Sequence, residues 1–148
     1  MKVIDEDFFE KIQNKISEVR GIPIYGTVTE PGRSQVLNRA GLIFALEILL
    51  EKHRKDFGTL WNPLKGRLAL EHKLFTKLNW PLNQIRELSL QDALFILQDE
   101  LKDTKIPEAA MRVLSSYGSS SARAVFPDVL DTEWDPNLYE TIPIKRNW

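Results

Sequence analysis

Two carboxylates stand where the surrounding sequence is apolar, and such groups can carry acid–base chemistry. Glu47 is the one charged residue within the apolar stretch Leu42–Leu50, and Glu71 lies on a helical face formed mainly by leucine and phenylalanine. Burial raises the pKa of a carboxyl group toward the range useful for proton transfer. A buried carboxylate is more often one half of a structural ion pair, and Arg39 and Arg67 are suitable partners. The sequence therefore favours a structural role for both carboxylates and a protein that is not an enzyme.

The two histidines, His53 and His72, are the residues to consider as metal ligands. Helical di-metal sites repeat Glu-x-x-His on two helices, whereas Glu71 and His72 are adjacent and point about 100° apart on a helix. Neither histidine has a second histidine four residues later, so the zinc-protease pattern is missing. The sequence also contains no cysteine and no glycine-rich phosphate-binding motif. We therefore expect no metal and no other cofactor.

The charged residues are distributed unevenly along the chain. Residues 33–86 contain ten lysines and arginines against four acidic residues, and residues 87–142 contain four against eleven. The formal net charge of the whole chain is −1, so a basic part and an acidic part nearly cancel. Charge of this kind affects partners and association rates more than it affects the fold.

The basic part offers candidate contacts to the phosphates of a nucleic acid. A cluster at residues 52–55 is followed by further lysines and arginines. The simpler explanation is that cations are favoured at a helix C-terminus and on a solvated helix face. The excess of basic residues is nevertheless larger than capping needs, and backbone phosphates attract such an excess. The candidate phosphate contacts are Lys52, Arg54, Lys55, Lys65, Arg67, Lys73 and Lys77.

The acidic part combines carboxylates with aromatic residues, which protein interfaces use for steering and for affinity respectively. One group of acids lies on a predicted helix near residue 100, and a second group, with aromatic neighbours, follows near the C-terminus. The alternative is that this C-terminal segment folds back on its own domain and buries Trp134 and Trp148. The candidate partner-binding residues are Asp92, Asp99, Glu100, Asp103, Asp131, Glu133, Trp134, Asp135 and Tyr139.

Apolar residues at helical spacing dominate the chain up to residue 118 and predict the elements that position these groups. Ser34 and Ser89 are suitable N-caps, Gly58 follows the longest helix, and Pro107 begins the last one. The predicted helices cover residues 4–19, 34–56, 64–78, 81–88, 90–102 and 107–118, with an extended segment at 22–28. The sequence thus predicts an all-α fold, a compact bundle of five or six helices over residues 1–126. Residues 127–148, the C-terminal arm, are predicted to be irregular and to pack on the bundle or on a partner.

The length and composition fit one globular domain. The 148 residues are 43% hydrophobic and 28% charged, which is enough apolar content for a core. The longest apolar stretch has nine residues, whereas a membrane-spanning helix needs about 20. Acidic residues near the N-terminus do not match a secretory signal. We therefore expect a cytoplasmic protein that does not bind a membrane.

These observations predict a non-enzymatic binding protein that docks on a basic protein partner through its acidic and aromatic residues. Its mechanism would be steric occlusion assisted by charge, as in small inhibitors, immunity proteins, antitoxins or adaptors. The alternative is a nucleic-acid-binding subunit of a larger assembly that uses residues 33–86. Both predictions require that the positive and negative charges, which are separated along the chain, stay separated after folding.

Overall fold

The computed structural model describes residues 6–27, 30–103 and 125–141. Two short 3₁₀ helices, Asp131–Glu133 and Leu138–Thr141, lie in the C-terminal arm. No β-strand occurs in these residues, and the predicted all-α bundle is confirmed. The α-helices in chain order are α1 (Glu6–Arg20), α2 (Gly32–Phe57), α3 (Arg67–Leu78), α4 (Leu82–Glu87), α5 (Leu90–Ile96) and α6 (Gln98–Asp103).

Helix α2 is the centre of the bundle, because it is apolar on nearly every side. It packs against α1, α3 and α6. The apolar face of α1 lies on α2, and the ring of Phe9 meets the ring of Phe44 edge-on with 5.5 Å between centroids. Such aromatic pairs add about 0.5–1.5 kcal/mol to the stabilisation from buried area. The other elements therefore assemble on the surface of α2.

The helix ends confirm two predicted caps and correct a third. Gly58 follows the last residue of α2, and its N–H donates to the carbonyl of Arg54 at 2.7 Å. Ser89 accepts a hydrogen bond from the N–H of Asp92 at 3.1 Å and caps α5. Ser34 is not the N-cap of α2, because the helix already begins at Gly32. The N–H of Ser34 donates instead to the carboxylate of Glu30 at 3.3 Å.

The predicted start of the third helix at residue 64 is wrong, because α3 begins at Arg67. Leu64 and Gly66 have φ angles of 61° and 58°, which lie outside the right-handed helical region. The guanidinium of Arg54 donates to the carbonyls of Leu64 at 2.8 Å and Gly66 at 3.1 Å. These bonds hold the segment as a loop. The helical periodicity included Leu64 because its side chain is buried, although its backbone is not helical.

The remaining differences are small. The helix predicted at 90–102 is divided at Leu97, which separates α5 from α6. Residues 22–27 form no regular element, so the extended segment is irregular. The helix predicted at 107–118 lies outside the described residues, as do Trp148 and the end of the arm. The described part of the arm lies on the bundle, where Trp134 and Tyr139 join the hydrophobic core.

Candidate functional site

Three charged residues on one side of α2 are buried in the bundle. Arg39, Glu47 and Arg54 are spaced close to two helical turns apart, so they lie along the same side of the helix. Their exposed fractions are 5%, 1% and 9%. A buried charge is costly unless it is paired or hydrogen-bonded. Each of these three side chains has a partner in the C-terminal arm.

The first contact places Glu133 between two arginines. Its carboxylate accepts hydrogen bonds from Arg39 at 2.8 and 3.0 Å and from Arg20 of α1 at 2.5 Å. Arg20 also pairs with Asp128 at 2.9 Å, and its guanidinium lies 4.1 Å from the ring centroid of Phe126. Charge-assisted hydrogen bonds of this kind are about twice as strong as neutral ones. They attach the arm to both α1 and α2.

The second contact joins Glu47 and Trp134. The indole N–H donates to Oε1 of Glu47 at 2.5 Å, and the Trp134 side chain is buried. Burial raises the pKa of Glu47 to about 7, although the hydrogen bond from Trp134 and the charge of Arg54 act in the opposite direction. Arg39, one of the two arginines that the sequence suggests as partners, does not pair with Glu47, because it pairs with Glu133. Glu47 is bound to the indole instead.

The third contact joins Arg54 and Tyr139. The guanidinium of Arg54 lies 4.1 Å from the ring centroid of Tyr139, a cation–π distance. The same group holds the loop before α3 through its two carbonyl contacts. Arg54 thus connects the arm, α2 and the loop, and it is not available to a phosphate.

Most of the predicted partner-binding residues have partners within the chain. Glu133, Trp134 and Tyr139 are buried, so they do not form a free surface. Asp131 accepts a hydrogen bond from the N–H of Leu90 at 2.7 Å and thereby binds the start of α5. Asp135 accepts one from the N–H of the residue two positions later, at 3.0 Å. The side chain of Asp103 lies outside the described part of the molecule.

The acids of α6 pair with the lysines of α3. Lys77 lies 2.8 Å from Asp99 and 3.2 Å from Glu100, and Lys73 pairs with Glu100 as well. The ammonium group of Lys77 lowers the pKa of Asp99. Both lysines come from the basic part of the chain and both acids from the acidic part. The expected separation of charge after folding is therefore wrong for these residues. Among the predicted acids, Asp92, Asp99 and Asp131 are exposed.

The other basic candidates divide into bound and exposed side chains. Arg67 donates to the carbonyl of Leu88 at 3.0 Å and lies 3.5 Å from Glu71, so Glu71 pairs with one of the two arginines that the sequence suggests. Arg86 lies 3.5 Å from the other oxygen of Glu71. The remaining candidates are exposed, and they are Lys52, Lys55 and Lys65.

The histidines form a pair that the sequence did not predict. Nε2 of His53 lies 2.7 Å from Nδ1 of His72, and the ring of Phe57 packs on both imidazoles with centroid distances of 4.6 and 5.5 Å. Burial, then the neighbouring charges of His72 and Lys73, lower the pKa of His53 to about 4. No group of three potential metal ligands occurs among residues 6–27, 30–103 and 125–141. The pair connects the end of α2 to the middle of α3.

The most exposed apolar residues lie on the loop between α2 and α3, which we call the Trp61 loop (residues 58–66). Leu60 and Trp61 are 89% and 90% exposed. The loop is held internally: the N–H of Thr59 donates to the carbonyl of Asn62 at 2.9 Å. The N–H of Asn62 donates in turn to the Thr59 hydroxyl at 2.9 Å. The loop is therefore an ordered structure that presents two large apolar side chains to solvent.

Further exposed apolar residues lie beside this loop. Phe57, at the end of α2, is 51% exposed and contacts His72. Leu68 and Phe75 lie on the same face of α3 as His72 and are 45% and 38% exposed. We call these residues, together with the two of the loop, the exposed apolar surface (Phe57, Leu60, Trp61, Leu68 and Phe75).

Sequence reasoning missed this surface. Helical spacing places Leu68 and Phe75 on the apolar face of the third helix that carries Glu71, although α3 leaves both side chains partly exposed. A signal was present in Gly58-Thr59-Leu60-Trp61-Asn62-Pro63, where two apolar residues stand between turn-forming ones. Large apolar side chains in a turn are candidates for an interface.

The comparisons with known proteins give no family for this chain. No protein-family model matches it, and neither does any curated protein or solved structure at a significant level. Across the described residues, every helix is too short or too polar to cross a bilayer. The function is therefore argued from the geometry alone.

The buried pair of Arg39 and Glu133 predicts a large loss of stability when one partner is removed. Glu133→Gln leaves Arg39 buried without a counter-charge, so we expect the free energy of unfolding to fall by about 3–5 kcal/mol. Urea denaturation followed by circular dichroism measures this. The control is Asp128→Asn, because Asp128 is half exposed and should cost less than about 1 kcal/mol. Equal losses for the two variants would contradict the structural role of Glu133.

Glu47 predicts that stability falls as the pH rises. Its pKa is about 7 in the folded protein against 4.5 ordinarily, so the folded state holds the proton more tightly between these values. The resulting stabilisation is present below pH 4.5 and is lost as the pH rises through 7, by about 3 kcal/mol in all. Glu47→Gln removes this dependence. The measurement is the difference in unfolding free energy between wild type and variant at pH 5, 6, 7 and 8, and a constant difference would refute it.

Proposed function

We propose that this protein is a non-enzymatic binding module that docks on a protein partner through the exposed apolar surface. The observation that carries the proposal is the exposure of Leu60 and Trp61, at 89% and 90%. Tryptophan is enriched among the few residues that supply most of the binding energy at protein interfaces. A soluble domain that exposes adjacent large apolar side chains on an ordered loop has the features of a docking surface.

The order of the Trp61 loop supports this proposal. Arg54 holds the carbonyls of Leu64 and Gly66 from the bundle side, and Asn62 closes the tip through its contacts with Thr59. A loop that is already ordered loses little conformational entropy when a partner binds. The contacts that fix the loop leave the indole of Trp61 free.

The energy available from this surface is sufficient for a specific complex. Burying an exposed large apolar side chain contributes roughly 3 kcal/mol, which corresponds to about a hundredfold in affinity. Leu60 stands next to Trp61 and can enter the same pocket of a partner. The two residues together therefore form an anchor, and Phe57 and Leu68 adjoin the loop in the sequence at the end of α2 and the start of α3.

The proposed binding face is the exposed apolar surface and not the acidic residues that the sequence suggested. Of the acids predicted to meet a basic partner, Glu133 pairs with arginines, and Asp99 and Glu100 pair with lysines of α3. Asp131 and Asp135 accept hydrogen bonds from backbone N–H groups. Part of the predicted acidic surface is thus engaged within the chain. The mode of action we propose is steric: the module covers a surface of its partner, as an inhibitor, an antitoxin or an adaptor does.

Nucleic-acid binding has weaker support. Of the seven candidate phosphate contacts, Arg54 is buried, Arg67 bonds a carbonyl, and Lys73 and Lys77 pair with acids. Three lysines remain exposed, which is few for a protein that must hold a phosphate backbone. The protein partner is therefore the function that the geometry favours.

A random peptide library displayed on phage tests the proposal without a known partner. The wild-type protein is immobilised and retained peptides are synthesised with a fluorophore. Because Trp61 is the anchor, Trp61→Ala should weaken their affinity by about thirtyfold or more, measured by fluorescence anisotropy.

The matched control is Trp80→Ala, since Trp80 is 42% exposed and lies outside the Trp61 loop. Its affinity for the peptides should stay within about twofold of wild type. Circular dichroism establishes that both variants are folded. The proposal is wrong if no peptide is retained, or if the retained peptides bind the folded Trp61→Ala variant as tightly as they bind wild type.

A further inference from the structure

Three exposed lysines lie in the Trp61 loop or on the helical turns that precede it. Lys52 and Lys55 lie on the last turns of α2, and Lys65 lies within the loop itself. All three side chains are exposed. Within the part of the chain that the structure describes, their ammonium groups form no ion pair and no side-chain hydrogen bond.

These lysines differ from the other basic residues of their part of the chain. Lys73 and Lys77 are neutralised by the acids of α6, and Arg54 and Arg67 bond to carbonyls of the chain. Among the described lysines of residues 33–86, those without a paired charge are therefore Lys52, Lys55 and Lys65, which are close in sequence to the Trp61 loop.

The charge of this segment, counted along the chain, is positive and modest. Between residues 52 and 65 the exposed charges are the three lysines and Asp56, which sum to +2, and the carboxylate of Glu140 in the arm lies close enough to act on Arg54. An apolar anchor with a positive rim is complementary to an apolar pocket with a negative rim. A nucleic acid would need a larger excess of cations, because each phosphate contact must replace condensed counterions.

We propose that the partner is a protein that presents an acidic rim around an apolar pocket. In this complex Trp61 and Leu60 enter the pocket, while Lys52, Lys55 and Lys65 face the carboxylates of the rim. The inference rests on the proposed function and adds the chemistry of the partner. The lysines accelerate association by steering, and the apolar anchor determines how long the complex lasts.

The peptides retained from the phage library identify this chemistry directly. We expect them to contain an apolar core flanked by aspartate and glutamate. Stopped-flow measurement with one such peptide should give an association rate that falls about tenfold or more between 50 and 500 mM NaCl. Lys65→Glu should lower the association rate at low salt severalfold and leave the dissociation rate nearly unchanged.

The matched control is Lys102→Glu, which makes the same change in net charge on α6, where the side chain is also exposed. It should leave the association rate within about twofold of wild type. The triple variant Lys52→Glu, Lys55→Glu, Lys65→Glu should lose the acidic peptides and retain peptides rich in lysine.

The outcomes separate this inference from the proposed function. If the peptides depend on Trp61 but show no acidic enrichment and no effect of Lys65→Glu, the protein is a binding module and the acidic rim is wrong. If no peptide is retained and a fluorescent 20-nucleotide DNA binds through the lysines, both proposals are wrong. If light scattering shows that the wild type is a dimer and Trp61→Ala a monomer, the exposed apolar surface binds a second copy of the chain. If the protein sediments with phosphatidylserine vesicles, that surface binds a membrane. Either result overturns the proposal of an acidic protein partner.

Discussion

The charges buried along α2 constrain the whole arrangement, because a buried charge must be paired or hydrogen-bonded. Glu133, Trp134 and Tyr139 supply an ion pair, a hydrogen bond and a cation–π contact to Arg39, Glu47 and Arg54 in turn. The arm is therefore part of the core. Its route over the bundle follows the order of the charges on the helix.

The same pairing determines what remains at the surface. Intramolecular ion pairs join the basic and acidic parts of the sequence, both between α3 and α6 and between α2 and the arm. Arg54 takes part on two sides, since it contacts the arm and also holds the Trp61 loop. Arg54 thus links the attachment of the arm to the conformation of the Trp61 loop. The exposed apolar surface and three exposed lysines are among the groups that remain at the surface of the described residues.

The sequence predicted the helices well and their long-range contacts poorly. Apolar spacing located α1 to α5, and capping residues such as Ser89 and Gly58 located their ends, because these signals are local. The loop before α3 was missed because it depends on Arg54, ten residues away from Leu64. The partners of Arg39 and Glu47 lie about 90 residues further along the chain, and no periodicity indicates which acid or indole meets them. The charge count along the chain therefore predicted separate acidic and basic surfaces, whereas in the folded protein several of these charges pair with one another.

The distance in sequence between Arg39 and Glu133 has a consequence during biosynthesis. These residues are 94 positions apart, so the ribosome releases the central helix long before the carboxylate that completes it. Until then the guanidinium of Arg39 must stay hydrated in the nascent polypeptide, and the central helix cannot pack against the C-terminal arm. Products of premature termination before residue 133 would keep this guanidinium and the adjoining apolar face open to water. Such fragments would expose apolar surface of the kind that chaperones and proteases recognise.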